Sequence, residues 1–193
     1  MEIRKLDIPA GYKANSQRMV GLFAAQLDNQ LNRLKKDLDG FTVEQLEWQL
    51  KPGMNTIGML LAHLAVVDVF WIIVATREMP HEPDGDDLTQ EIIGIRMDDD
   101  GLPLKEDGKH PKTLAGKTLN QYWEMLDAAR GEVHKEMQQW TDDQLENTFA
   151  LRDRQITRSW TVYHVLEHFA AHYGQILMIR HMMRDAGLLP KKQ

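Results

Sequence analysis

The stretch TIGMLLAHLAVVDVFWIIVA, residues 56–75, decides what kind of fold this chain adopts. From Ile57 to Ala75 it is nearly long enough to span a bilayer, which takes about 20 apolar residues. Yet His63 and Asp68 lie inside it, no second such stretch follows, and neither end carries a basic cluster. Ionisable groups at bilayer depth are expensive, and the flanking charges that orient a membrane helix are missing. The stretch therefore reads as a helix buried on most sides within a protein core, capped by Asn55 and running to about Met79, before Pro80. Its second half, VFWIIVA, is apolar all round, which predicts a second buried surface, against another subunit.

Three more helical seams surround it. Val20, Ala24, Leu27, Leu31, Leu34 and Leu38 recur at spacings of four and three, started by Asn15 or Ser16 and stopped by Gly40. A third helix spans about Thr118 to Gln139, with Leu119, Tyr122, Leu126, Ala129, Val133 and Met137 inward. A fourth begins near Thr161 and ends at Gly187; Arg180, His181 and Arg184 in its final turns suit the negative end of the helix dipole. Between the second and third helices, residues 80–117 are rich in Pro, Gly and Asp. So long a connection needs a reason, and a crossover that lets the two helices run parallel supplies one.

The chain also echoes itself. Phe41-Thr-Val-Glu-Gln-Leu-Glu47 is similar to Trp140-Thr-Asp-Asp-Gln-Leu-Glu146, each a capping box of threonine followed three residues later by glutamine. TIGMLLAHLA (56–65) matches TVYHVLEHFA (161–170) at four of ten positions, the histidine included. The order long helix, short capped helix, long helix thus occurs twice, and a pseudo-two-fold axis between the halves would bring His63 and His168 face to face. The expected fold is all-α, a four-helix bundle in one domain over residues 1–193 with the 80–117 crossover.

A net charge of −6 and no Lys/Arg stripe with interleaved aromatics argue against nucleic-acid binding. There is no cysteine, so disulfides, thiolate ligands and a cysteine nucleophile are excluded; this fits a cytoplasmic protein. MEIRKLDIPAGYKANSQ contains no apolar core of a signal peptide.

The chemistry lies in HVLEHFAAH, residues 164–172, which sets His164, His168 and His172 four apart. Residues four apart share a helix face with Cβ atoms about 5–6 Å apart, so two imidazoles can hold one metal ion. The stripe drifts by about 40° per step, so three consecutive members do not all address one ion, and a third ligand must come from another helix. His63 is the candidate. Burying several imidazoles without partners costs roughly 1–3 kcal/mol each, which a metal removes. His81 and His110 fall in the polar crossover, His134 on the solvent face of the third helix and His181 in the last turns of the fourth. The acidic loops are not EF-hands, because counting back from Gly101 puts Arg96 at the first ligand position. HVLEH is literally the H-x-x-E-H string of inverted zincins, with Glu167 as base; such a peptidase needs a further downstream ligand, and only 25 residues follow His168.

PGMNTIGMLLAHLAVVDVFW (52–71) and SWTVYHVLEHFAAHYGQI (159–176) resemble the two signatures of the DinB/YfiT-like superfamily of small metal-binding helical proteins. The likeness extends over essentially the whole chain, crossover included. It implies an up-down-down-up four-helix bundle, often a homodimer, with a divalent metal on His63, His168 and His172, the last just before Tyr173-Gly174-Gln175. His164 has no counterpart in that triad and is assigned to support of the site or a polar wall of its pocket. Members with known activity are similar to thiol-dependent enzymes using mycothiol, bacillithiol or glutathione.

Three neutral imidazoles leave open metal positions, as catalytic sites do, and suit zinc, nickel, iron or copper without choosing among them; zinc or nickel is expected first, with iron also admissible. Such an ion lowers the pKa of bound water and ionises a bound thiol in the same way. The expectation is a metal-dependent enzyme in which a low-molecular-weight thiol, or water, attacks a small electrophile; the alternative is a non-catalytic metal-binding stress-response protein. Asp68 is placed either as a group orienting a ligand or taking a proton, or as the buried partner of an arginine or a helix cap. Tyr163, Tyr173 and Gln175 flank the pocket and are candidates for contact with cofactor or substrate. Gly174 suggests a close approach by a helix or ligand, and Trp48, Trp71, Trp123 and Trp160 read as core aromatics.

Overall fold

The computed structural model describes residues 5–13 and 15–190. Residues 1–4, 14 and 191–193 of the expected 1–193 domain lie outside the described residues, as does part of the segment read for a signal peptide. The chain is mostly helical. The long helices are α1 (Arg18–Asp37), α3 (Ile57–Val69), α5 (Leu119–Met137) and α6 (Arg158–Asp185); α2 (Val43–Leu46) and α4 (Asp86–Ile93) are short.

Helix α3 is the hub, packed against both α5 and α6, while α1 packs against the same two from the other side. Every residue of α3 but His63 is buried. Ile57–Ala75 is 83% buried inside the fold, so the stretch that could span a bilayer by length is the interior helix. Leu60, Leu61 and Leu64 are within 1% of full burial, each worth about 1.5–3 kcal/mol. The cap is Thr56, one residue later than expected: its hydroxyl accepts the Met59 N–H and meets Nδ1 of His110 at 2.8 Å. Beyond Val69 the helix widens into a π-helical segment, Phe70–Ala75, ending before the expected Met79.

The start of α1 corrects a sequence expectation. Neither Asn15 nor Ser16 caps it; the residue before it is Gln17, whose amide donates to the carbonyls of Gln138 and Trp140. The Asp142 carboxylate instead accepts the N–H groups of Met19 and Val20, so the cap comes from a segment more than 120 residues away. Both echoed capping boxes form. Thr42 with Gln45 opens α2, and Thr141 with Gln144 opens a 3-10 turn, Asp142–Glu146.

Three further features depart from the sequence reading, the first of them from all-α. An antiparallel hairpin, β1 (Thr148–Leu151) and β2 (Arg154–Thr157), precedes α6, pairing Phe149 with Ile156. Phe149 and Ile156 bury against Ala75, and this contact pins the hairpin to the π-helical end of α3. Helix α6 then starts at Arg158, three residues before Thr161, with Thr157 as cap. The crossover is structured as well: α4 packs on α5, and a 3-10 turn, Met97–Asp100, packs on α3. Finally, His134 is not on a solvent face. It is half-buried between Tyr12 and Asp28, with its Nε2 2.9 Å from the Asp28 carboxylate.

Candidate metal centre

His63 is the one α3 residue left partly open, and it faces α6, where His168 and His172 occupy successive turns. The Nε2 atoms of His63 and His168 lie 3.2 Å apart, and those of His168 and His172 lie 3.1 Å apart. One nitrogen from each of the three rings falls within a 4.8 Å group. Four-coordinate nitrogen ligands at 2.0–2.1 Å from zinc stand about 3.3–3.4 Å from one another, so the spacing suits one ion.

The outer nitrogens fix which lone pairs point inward. His63 Nδ1 is 2.7 Å from the Asp100 carboxylate, which only accepts, so Nδ1 carries a proton and the neutral ring presents a bare Nε2. His172 Nδ1 is 3.0 Å from the Gln175 side-chain oxygen, which sets the same tautomer. Two bare nitrogens therefore face His168 Nε2, and a single proton there satisfies at most one of them. A cation among the three resolves the conflict. His168 Nδ1 is buried and has no hydrogen-bond partner among the described residues. Burial, reinforced by the rings of His172, His63 and His164, pushes the pKa of His168 down to about 3, and burial likewise lowers that of His172. Both rings are thus neutral near pH 7, the state that binds metal.

Asp100 was not legible in the sequence. In DDDG it is indistinguishable from Asp98 and Asp99, yet the 3-10 turn buries it to 2% exposure against α3. Its other oxygen accepts the Leu102 N–H at 2.9 Å. In Asp100→Asn, the amide NH2 must face either the protonated His63 Nδ1 or the Leu102 N–H, donor against donor. We expect metal affinity to fall about 10–100-fold while the fold persists, measured by competition with a chromophoric chelator. An unchanged affinity would remove Asp100 from the site.

The remaining sequence candidates fall in different places. His164 lies outside the cluster: its ring stacks on Trp160 at 4.8 Å and 9°, meets Trp71 edge-on at 4.7 Å, and bonds Glu167 through Nδ1 at 3.1 Å. The pair that joins His63 is therefore His168/His172 rather than the His164/His168 of the zincin string. Asp68 is fully buried on α3 with its carboxylate 2.9 Å from Arg130 Nη2 of α5. Tyr173 turns toward α1 and donates to Asp37. Tyr163 is exposed, and of these three residues only Gln175 contacts the histidine cluster, through His172. Gly174 is exposed and a Cβ there would meet nothing, so no close approach explains it. Trp160, expected in the core, is 42% exposed.

The architecture and site together define a helical protein with a three-histidine cluster seated between its central and last helices. The family model of the DinB superfamily matches residues 26–176, and the chain belongs to that superfamily. It is similar in fold to a crystal structure titled a conserved protein from Enterococcus faecalis, at 19% identity over 82% of this chain and 93% of that one, with a TM-score of 0.60. A DinB-like protein from Bacillus cereus is similar at 20% identity over 94% of this chain and 100% of that one, with a TM-score of 0.51. No curated protein matches.

Proposed function

We propose that the chain is a divalent-metal-dependent enzyme that directs a low-molecular-weight thiol, or water, onto a small electrophile for S-transfer or isomerisation. The observation that carries this reading is the convergence of three imidazole nitrogens with two inward lone pairs on rings that stay partly open, the His63 side chain being 21% exposed. A closed structural site would use a fourth protein ligand, whereas three leave room for an exchangeable one.

His63, His168 and His172 would hold the ion, zinc or nickel before iron. A bound ion supplies Lewis acidity, lowering the pKa of a coordinated thiol or water. The chain's own contribution is positional: Asp100 fixes the His63 ring, Gln175 fixes the His172 ring, and burial keeps His168 neutral. The thiol comes from outside, because the chain has no cysteine. The four long helices are taken as an up-down-down-up bundle, and the protein as a homodimer acting on a small molecule.

The test is consumption of a panel of electrophiles by metal-loaded protein with glutathione, bacillithiol or mycothiol. Turnover dependent on both metal and one thiol, and lost in His168→Ala, is expected. Stoichiometric metal with no thiol- or water-dependent turnover would leave the non-catalytic binding protein as the better reading.

A further inference from the structure

Beside the histidine cluster lies a cleft of about 290 Å³ between the π-helical end of α3, the start of α6 and the β1–β2 turn. Its walls are Phe70, Trp71, Leu151, Ile156 and Trp160, and its rim carries Arg152, Asp153 and Arg154. Two guanidinium groups against one carboxylate leave the rim cationic in a chain whose net charge is −6. The Arg154–Asp153 contact is long, 3.9 Å, with both side chains at least 80% exposed, so it leaves the arginines available.

Two backbone features build this cleft. The π-helical segment carries Phe70 and Trp71 to its wall, and such segments concentrate at functional sites. Arg152 sits at φ 56°, a left-handed conformation suited to glycine, asparagine or aspartate in a tight turn. An arginine at such a turn position is a backbone outlier of the kind that clusters at ligand sites.

A chain of ring contacts links the cleft walls to the histidine cluster. Trp71 and Trp160 meet at 5.5 Å, both contact His164, and the His164 ring is 5.8 Å from that of His168. Trp160 and His168 are eight residues apart on α6, about 12 Å along the axis. His164 forms the wall between the two.

We infer that this cleft is the subsite for the electrophilic substrate, and that it takes a flat apolar or aromatic small molecule bearing a carboxylate. The aromatic walls stack the body of the ligand and Arg152 and Arg154 receive its anion, so that its uncharged end lies on the His164 side of the cleft, the side nearer the three histidines. As the seat of an electrophile the assignment rests on the reading proposed above; as an anion-selective aromatic site it is tested without turnover.

The probes are 2-naphthoate and its uncharged isostere 2-naphthamide, read by quenching of tryptophan emission in metal-loaded protein. Naphthoate should bind the wild type more tightly, and Arg152→Gly/Arg154→Gln should weaken naphthoate about tenfold while changing naphthamide less than about twofold. The same variant should keep its metal and melt at or above the wild-type temperature, since glycine relieves the turn. Trp160→Ala should weaken both probes, and His168→Ala should lose metal yet still bind naphthoate. If the histidine variant keeps its metal while the arginine variant behaves as expected, the metal reading fails and the cleft stands. Equal affinity for the two probes, indifference to the arginine and Trp160 substitutions, displacement by glutathione, or binding that weakens as protein concentration rises because a second copy fills the cleft, would each overturn the assignment.

Discussion

Chelator treatment of metal-loaded wild-type protein should lower its thermal midpoint by about 5–10 °C, and the same treatment of His168→Ala should change nothing. An ion that binds only the folded chain adds about 2.7 kcal/mol when its free concentration is 100 times Kd. One kcal/mol shifts the midpoint of a domain this size by about 2–4 °C. His168 is the residue to remove because its Nε2 is the shared neighbour of the other two, at 3.2 Å from His63 and 3.1 Å from His172. Alanine there separates the remaining pair from any common donor. His63→Ala and His172→Ala should also lose stoichiometric metal, by direct metal analysis. His164→Ala should keep it, since that ring is engaged with Trp160, Trp71 and Glu167. Retention of metal by His172→Ala together with its loss in His164→Ala would shift the ligand pair one turn toward the helix start. A wild-type midpoint indifferent to chelator, with no metal found on analysis, would remove the basis of the proposed chemistry.

The long helices were legible from local rules, and the convergence of His63 with His168 from the internal echo between their helices. Apolar periodicity places α1 and α5, a continuous apolar run places α3, histidines four apart mark α6, and two threonine capping boxes with a shared TxxxxLxHxA pattern relate the halves. What escaped notice depends on tertiary docking. Asp100 reaches His63 only because the crossover folds onto α3, and nothing local marks it among three consecutive aspartates. Asp142 caps α1 from across the molecule, so no cap residue precedes that helix. The hairpin carries no local signal, because TFAL and RQIT are four residues each and their turn, Arg152-Asp153, has none of the Asn-Gly or Gly-rich chemistry that announces one. Trp160 was assigned to the core by residue type, yet a helix start beside a cleft can hold an aromatic half in water.

Asp68→Asn should lower the midpoint by about 6–20 °C without changing metal affinity in the folded protein. The Asp68 carboxylate and Arg130 guanidinium are 1% and 5% exposed, joined by a 2.9 Å contact between α3 and α5. The contact is ionic rather than well aligned: among the described residues neither Asp68 oxygen nor any Arg130 nitrogen has a hydrogen bond of good geometry. Burial pushes the Asp68 pKa upward and the Arg130 charge opposes it, so each ion is tolerated only because of the other. Neutralising one partner leaves the other charge buried and uncompensated, which costs about 3–5 kcal/mol; at about 2–4 °C per kcal/mol this gives the predicted shift. Replacing both, as Asp68→Leu with Arg130→Met, should return the midpoint close to wild type, because well-packed apolar side chains substitute for a buried ion pair at little or no loss. Denaturation midpoints for the two singles and the double, with metal affinity measured below the melting range, separate the two roles weighed for this residue. A large single-variant loss recovered in the double, with metal retained throughout, assigns Asp68 to the α3–α5 interface. A midpoint that hardly moves while metal affinity or turnover collapses would instead show that Asp68 acts on the histidine cluster, and that the ion pair only holds it in place for that task.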